Sequence, residues 1–117
     1  MSEVSEKFPK TDRILKRDSF KRVYGEGRKI QARHFTAFVL PNSGGRPRIG
    51  ITATRKMGNS VERNRARRLV REVFRKNKWL VPPGVDIVIN VKRSLAEANY
   101  SDLEGDFITF LERAGNK

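Results

Sequence analysis

Cysteine is absent from the 117 residues of this chain, and histidine occurs once, as His34. Without cysteine there are no disulfides and no thiolate metal or redox sites, and a lone histidine cannot form a multi-histidine metal site. No run of about 18 apolar residues occurs, so no membrane span is predicted. Residues 1–10 contain acids and no apolar core, so no secretory signal is expected. These absences argue against a hydrolase that uses its own side chains and indicate a cytoplasmic protein.

Acidic residues are also scarce beside basic ones. The chain has 13 Asp and Glu against 26 Lys and Arg, which gives a net charge of +13 and a pI of about 10.9. Such an excess of positive charge predicts a nucleic acid or an anionic membrane surface as the partner. The length predicts a single domain, 1–117, with a modest core, in which residues 1–10 are disordered or loosely attached.

The positive charge is concentrated between Arg55 and Lys78, where ten basic residues accompany two acids and supply +8 of the net +13. Five apolar residues recur there at helical spacing and predict one buried face: Ala66, Leu69, Val70, Val73 and Phe74. The opposite face is formed by Asn64, Arg67, Arg68, Arg71 and Arg75, with Arg63 and Arg65 beside it. Like charges four residues apart repel by about 0.2–0.5 kcal/mol per pair. A polyanion covering this face is therefore favoured over a merely solvated one.

Alternating apolar residues predict strands at 34–40, 48–55 and 85–91. The first two are close enough in sequence to pair as a hairpin. The last two flank the basic helix, so the order strand–helix–strand predicts that they pair in parallel, with the helix lying on the sheet.

Two further helices are expected beside the basic one. A short helix covers 18–24 and is closed by Gly25 in the left-handed conformation, and a C-terminal helix carries an apolar stripe. The expected N-caps, in chain order, are Asp18 or Ser19, then Ser60, then Ser101 in a capping box with Glu104. The carboxylates of Asp102, Glu104 and Asp106 allow an Mg²⁺ site as an alternative, but capping explains them more simply.

One face of the predicted sheet carries too many small and polar residues to form a hydrophobic core. It carries Thr36, Phe38, Gly50, Thr52 and Thr54, with Lys56 just beyond. Aromatic rings stack on bases without sequence preference, at about 1–3 kcal/mol per base, and hydroxyls reach phosphates. If helix 18–24 borders this face, Phe20 and Tyr24 add two further rings. The sequence thus predicts a cationic helix for folded RNA and an aromatic cleft for a single strand, with packing of Phe38 beneath the helix as the alternative.

The segment 56–72, KMGNSVERNRARRLVRE, resembles the RNR signature of the protein subunit of bacterial ribonuclease P. The similarity extends to the first helix (LKRDSFKRVY, 15–24), the strand before the motif (RIGIT, 48–52) and the last strand (DIVI, 86–89). It covers about residues 12–114.

This resemblance implies an α+β fold, an α/β sandwich similar to a ribosomal-protein domain. The expected sheet is small and mixed, with about four strands, flanking helices and a strand–helix–strand crossover that is left-handed in the family. It also implies a subunit that binds ribonuclease P RNA and, with it, removes the 5′ leader from precursor tRNA. In that family the RNA performs the hydrolysis with Mg²⁺, so no catalytic residue and no metal ligand is assigned to the chain.

The resemblance also assigns the two surfaces by position. The residues expected to bind the RNA subunit are Arg55, Lys56, Arg63, Asn64, Arg65, Arg67, Arg68 and Arg71. Those expected in the leader cleft are Phe20, Tyr24, Phe38, Thr52, Thr54 and Lys56. No membrane and no small-molecule substrate is expected. The alternatives are a ribosomal or other structural RNA-binding protein, a protein-only nuclease and a DNA-binding module.

Overall fold

The computed structural model describes residues 13–14, 17–42 and 45–115. The expected loose segment 1–10 lies outside these residues. The helices and strands, in chain order, are α1 (Arg17–Glu26), β1 (Arg28–Gln31), β2 (Phe35–Pro41), β3 (Arg48–Thr52), α2 (Ser60–Lys76), β4 (Val85–Val91) and α3 (Tyr100–Gly115). Within the described residues, 3₁₀ turns lie at Arg55–Met57, Lys78–Leu80 and Arg93–Glu97. In the described part of the chain, no helix is both long and apolar enough to cross a membrane.

The four strands form one mixed sheet in the order β1-β2-β4-β3. The parallel pairing of β3 with β4 around α2 is confirmed, with Ile49 opposite Ile87. The expected hairpin between β2 and β3 is wrong, because β4 lies between them and pairs with both. Residues 86–89 of β4 are all buried, and the apolar residues Ile87, Val88 and Ile89 among them bury both faces of the strand, which suits a central position. The antiparallel neighbour of β2 along the chain is β1, which sequence patterning missed.

The main core lies between one face of the sheet and helices α2 and α3. The predicted apolar face of α2 is confirmed: Ala66, Val70, Val73 and Phe74 are buried, and Leu69 is partly buried against them. A chain of aromatic contacts links β2, α3 and α2 through the ring pairs Phe35–Phe110 at 5.7 Å, Phe107–Phe110 at 5.8 Å and Phe74–Phe107 at 6.5 Å. The helix that carries the excess charge is therefore fixed to the sheet by its back.

The opposite face of the sheet is covered by α1. A smaller apolar cluster forms there from Ile14, Val23 and Val88, with the partly buried rings of Phe20 and Tyr24 among its neighbours. Since successive residues of a strand point to opposite faces, Val88 faces α1, whereas its neighbours in β4 face α2 and α3. The sheet thus separates α1 from the other two helices.

A buried ion pair fixes the register of β3 and β4. The side chain of Asp86 is only 5% exposed and lies opposite Arg48 in the ladder. Arg48 donates from Nε at 2.9 Å and from Nη2 at 2.7 Å, and Asn42 Nδ2 donates to the same carboxylate at 2.7 Å. The hydrogen bond to Asp86 is the main cause that raises the pKa of Arg48. A slip of β3 against β4 would break both bonds from Arg48.

The helix starts differ from the sequence prediction. The N-cap of α2 is Asn59 and not Ser60: Asn59 Oδ1 accepts from the Glu62 amide, and Glu62 Oε1 accepts from the Asn59 amide, both at 2.9 Å. Asparagine caps as well as serine does, and here it completes a reciprocal capping box. Gly58, immediately before it, has a φ of 156°.

The first and last helices also begin earlier than predicted. Since α1 starts at Arg17, both Asp18 and Ser19 lie in its first turn, and Gly25 is helical and not left-handed. In α3 the reciprocal bonds join Asn99 and Asp102, and not Ser101 and Glu104, at 2.9 and 3.2 Å. As at α2, an asparagine just ahead of the expected cap satisfies the free backbone amides.

The acidic side chains of α3 have separate structural partners. Glu104 accepts hydrogen bonds from Asn77 Nδ2 at 2.9 Å and from the Tyr100 hydroxyl at 3.1 Å. Burial, followed by the bond to Glu104, raises the pKa of Tyr100 to about 12. Asp106 accepts from the backbone amides of Arg33 at 3.0 Å and His34 at 2.8 Å, which ties α3 to the β1–β2 connection.

Candidate nucleic-acid interface

A cleft of about 460 Å³ opens beside α1 and the end of β3. It is lined by Arg17, Phe20, Lys21, Tyr24 and Thr52. Two aromatic rings and two cations around one depression match what a single strand requires, because bases stack on rings and phosphates pair with positive charges. Helix α1 supplies four of the five side chains, so the placement of one helix on the sheet creates the cleft.

Tyr24 is held rigidly in the wall of this cleft. Its hydroxyl donates to Asn90 Oδ1 at 2.9 Å and lies 3.0 Å from Thr52 Oγ1. Its ring meets Phe38 edge to face, with centroids 4.8 Å apart and an interplanar angle of 71°. Asn90 was not identified from the sequence, because a polar residue in β4 shows no relation to residue 24 until the strands are assembled.

The structure brings together only part of the predicted leader cleft. Phe20, Tyr24 and Thr52 line it, whereas Phe38 packs behind Tyr24 in the small apolar cluster. Phe38 thus has the packed position that the alternative described, and its contact with a leader stays a prediction. Thr54 and Lys56 lie beyond the end of β3, are exposed and are not part of this lining.

Phe20 is positioned by the absence of a side chain at Gly50. A Cβ at Gly50 would lie 2.7 Å from both Cε1 and Cζ of Phe20 and 3.2 Å from Cβ of Ile14. We expect Gly50→Ala to displace the Phe20 ring, to lower the free energy of unfolding by about 1–3 kcal/mol and to weaken binding of precursor tRNA. Urea unfolding and a binding titration measure the two effects.

The control for this substitution is Gly25→Ala. No atom lies within 4 Å of a Cβ at Gly25, which is helical. Alanine there should leave precursor binding unchanged and stabilise the helix slightly, by up to about 1 kcal/mol. If Gly50→Ala bound precursor tRNA as tightly as the unsubstituted chain, Phe20 would not be the ring that matters in this cleft.

A second, narrower cleft of about 190 Å³ connects the first to the basic helix. Phe20 lines both clefts, and Arg71 of α2 reaches the second one from the other side. Burial, followed by the positive charges of Arg13 and Arg67, lowers the pKa of Arg71. Lys56, which the resemblance assigns to both surfaces, is exposed and lies outside this lining, whereas Arg71 lines a cleft together with Phe20.

The arginines of the RNR motif have partners within the protein. Arg63 Nη1 donates to the Gly58 carbonyl at 3.0 Å. Arg67 donates from Nη1 to Asn64 Oδ1 at 3.1 Å and from Nη2 to the Ala53 carbonyl at 3.5 Å. The bonds to the Gly58 and Ala53 carbonyls hold the chain that leads into α2, so Arg63 and Arg67 have a structural role that periodicity did not indicate.

Arg65 makes the most extensive of these contacts. Its Nη2 donates to the Ala98 carbonyl at 2.9 Å, and its Nη1 lies 3.4 Å from the carbonyl oxygens of Leu95 and Ala96. The side chain thereby attaches the 3₁₀ turn Arg93–Glu97 to α2. We expect Arg65→Ala to lower the free energy of unfolding by about 1–2 kcal/mol, because hydrogen bonds from a charged group are lost, and to increase amide exchange around that turn.

Arg68 provides the matched control for Arg65. It lies on the same helix, is exposed and has no hydrogen bond among the described residues. Arg68→Ala should therefore change the free energy of unfolding by no more than about 0.5 kcal/mol. Equal stability of the two variants in urea would show that Arg65 does not hold the turn.

Comparison with known proteins agrees with this arrangement. The sequence profile of the family described as Ribonuclease P matches residues 8–115. The ribonuclease P protein component of Syntrophus aciditrophicus is 43% identical over 94 residues, which cover 80% of this chain and 79% of the relative. That of Thermotoga maritima is 35% identical over 94 residues, which cover 80% of each chain.

Solved structures show the same fold. The ribonuclease P protein of Staphylococcus aureus superposes with a TM-score of 0.80 at 27% identity, over 89% of this chain and 95% of that one. The ribonuclease P protein from Thermotoga maritima gives a TM-score of 0.79 at 30% identity, over 86% and 96% of the two chains. The predicted α+β fold with a four-stranded mixed sheet is thereby confirmed. The chain belongs to the ribonuclease P protein component family.

Proposed function

We propose that this chain works in the ribonuclease P ribonucleoprotein by docking onto the ribonuclease P RNA through α2 and by holding the 5′ leader of precursor tRNA in the cleft beside α1. The observation that carries the proposal is the continuity of the two surfaces. Phe20 lines the aromatic cleft and also the narrower cleft that Arg71 of α2 enters. One protein can therefore contact a single strand and a folded RNA side by side.

The leader is held by stacking and by charge. Its bases stack on the Phe20 and Tyr24 rings, while Arg17 and Lys21 on the rim of the cleft face its phosphates. Neither kind of contact reads a base edge, so the cleft accepts leaders of different sequence. Tyr24 contributes as a fixed wall, because its hydroxyl is already bonded to Asn90.

The folded RNA is bound by the exposed cations of α2 and of the turn before it. Arg55, Lys56 and Arg68 are exposed. Their side chains donate no hydrogen bond to any other described residue. Arg63, Arg65 and Arg67 are bonded to carbonyl or amide oxygens, yet each guanidinium has five N–H donors and keeps some for phosphates. The same guanidinium group can therefore stabilise the protein fold and bind an RNA phosphate.

Hydrolysis is assigned to the RNA subunit together with Mg²⁺, which supplies the hydrolytic chemistry when bound to RNA and substrate. The carboxylates of Asp102, Glu104 and Asp106 each accept a hydrogen bond from a different partner within the protein, which supports assigning them structural roles and no Mg²⁺. His34 is buried, and its Nδ1 lies 2.9 Å from Ser94 Oγ. The protein contributes binding and positioning, in the cytoplasm where precursor tRNA is processed. No observation favours a ribosomal role.

A series of precursor tRNAs with progressively longer leaders tests this function. With the complex of protein and ribonuclease P RNA, affinity should increase with leader length and then level off once the cleft is filled. The RNA alone should show little dependence on leader length. An affinity that does not depend on the leader in the complex would contradict the assignment of the cleft.

A further inference from the structure

Trp79 is the most exposed aromatic residue of the described chain. It is the only tryptophan in the sequence, and 79% of its surface is accessible. Every phenylalanine and tyrosine in the described residues is buried or half-buried. Val61, 75% exposed, is the other exposed large apolar residue described. A tryptophan left in water forfeits the largest apolar burial available to any side chain, so its position suggests a ligand.

The backbone around Trp79 is rigidly held. Trp79 lies in the 3₁₀ turn Lys78–Leu80, in which the Leu80 amide donates to the Asn77 carbonyl and the Val81 amide to the Lys78 carbonyl, both at 3.0 Å. Asn77 is buried, and its Nδ2 donates to the Val73 carbonyl at 2.8 Å. Val81 is also buried. The exposed ring is thus presented between two anchored residues and loses little conformational entropy when a ligand binds.

The charge next to Trp79 is positive. Lys76 and Lys78 lie within three residues of it, and the side chain of Lys76 is about half exposed. Glu72, one turn earlier in α2, forms an ion pair with Arg75 and lies 4.0 Å from Lys76 Nζ, which is also 5.8 Å from the centroid of the Tyr100 ring. A hydrophobic surface of a protein partner would contact only one aromatic ring here, with two lysines beside it, which is a poor match. A nucleotide would find a π-face for its base and positive charge for its phosphate.

Trp79 lies on the other side of the sheet from the leader cleft. Helix α1 and its apolar cluster cover one face, and α2 with the turn that follows it belongs to the opposite face. The 17 residues of α2 span about 25 Å, so the RNR motif at the start of the helix and Trp79 beyond its end are separate points along it. A strand held beside Phe20 does not account for this exposed ring.

We propose that Trp79 is a stacking platform for an unpaired base of the ribonuclease P RNA, with Lys76 and Lys78 facing the phosphates of that nucleotide and its neighbour. The proposal rests on the proposed docking of α2 onto this RNA. It adds a contact at the far end of the helix, which orients the helix on the RNA as well as attaching it.

The fluorescence of the single tryptophan tests the proposal directly. The full chain is titrated with transcribed ribonuclease P RNA at low salt, and emission and acrylamide quenching are recorded. Stacking predicts that RNA quenches the emission of Trp79 and shields the ring from acrylamide. Trp79→Leu should weaken RNA binding by about 5- to 30-fold, since one stacked base is lost while an apolar side chain remains. Trp79→Phe should recover most of that loss.

Val61→Ala is the control for the loss of an exposed apolar side chain, because Val61 is as exposed as Trp79 but lies in the first turn of α2, at the other end of the helix. Its RNA affinity should equal that of the unsubstituted chain, and the urea midpoint of Trp79→Leu should not change.

An unaltered emission at saturating RNA, together with equal affinities for Trp79→Leu and the unsubstituted chain, would overturn the proposal and leave the docking of α2 intact. Failure of the unsubstituted chain to bind the RNA would instead refute the proposed function. Emission that depends on protein concentration without RNA, and on RNA not at all, would assign Trp79 to self-association and overturn the proposal.

Discussion

Binding of the chain to the ribonuclease P RNA is expected to weaken by about 10³- to 10⁵-fold when the salt concentration rises from 50 to 200 mM. Each phosphate that a lysine or arginine neutralises releases condensed counterions, and added salt opposes that release. The range corresponds to about 6–10 phosphate contacts, which the basic segment between Arg55 and Lys78 can supply from its ten cations. Filter binding at four or five salt concentrations gives the slope.

Single substitutions measure how much each residue contributes to the dependence of RNA affinity on salt concentration. Arg68→Ala removes an exposed cation and should reduce the slope by about one. Arg75→Ala is the matched control on the same helix, because the Arg75 side chain is only 18% exposed and is paired with Glu72. It should leave the slope nearly unchanged. A flat response of the unsubstituted chain to salt would exclude docking through phosphate contacts.

Replacing Phe20 with alanine is expected to weaken binding of precursor tRNA to the complex by about 5- to 150-fold, and to leave the binding of mature tRNA unchanged. The size follows from the loss of one stacked base, at about 1–3 kcal/mol. The selectivity follows from the ligand, because mature tRNA has no leader to place in the cleft. Parallel titrations of the two RNAs measure both.

Phe20 also packs on the cluster of Ile14 and Val23, so its removal lowers stability. Phe20→Leu separates the two effects, since leucine retains apolar packing but has no ring to stack on a base. It should unfold close to the unsubstituted midpoint and still lose precursor affinity. An equal loss for precursor and mature tRNA would remove Phe20 from the leader site and point to a general disturbance of the fold.

The sequence predicted the elements whose pattern is local. The apolar face of α2 and the limits of β4, Val85–Val91, are as expected, because helical and strand periodicities are set within a few residues. Strand neighbours were predicted less well. The position of β4 between β2 and β3 depends on burial of both its faces, and closeness in sequence favoured a hairpin that does not form. β1 is four residues long with one buried, which is too short for a pattern.

The site shows the same division between local and distant relations. The cations lie on α2 and the rings lie near the sheet, as the sequence indicated. The contacts that arrange these side chains, however, join distant parts of the chain. Arg65 reaches carbonyls about 30 residues away, and Tyr24 bonds to Asn90, 66 residues on. Arg71 and Phe20 meet at one cleft only after α1 and α2 pack beside β3. Composition and spacing contain no information about such pairs.

In the proposed function, the protein positions RNA and the RNA subunit breaks the bond. Cleavage of precursor tRNA at low Mg²⁺ tests it most directly, with the protein alone, the ribonuclease P RNA alone and the two combined. We expect no cleavage by the protein, little by the RNA and efficient release of the 5′ leader by the combination. Cleavage by the protein alone, or no stimulation of the RNA by the protein, would contradict it.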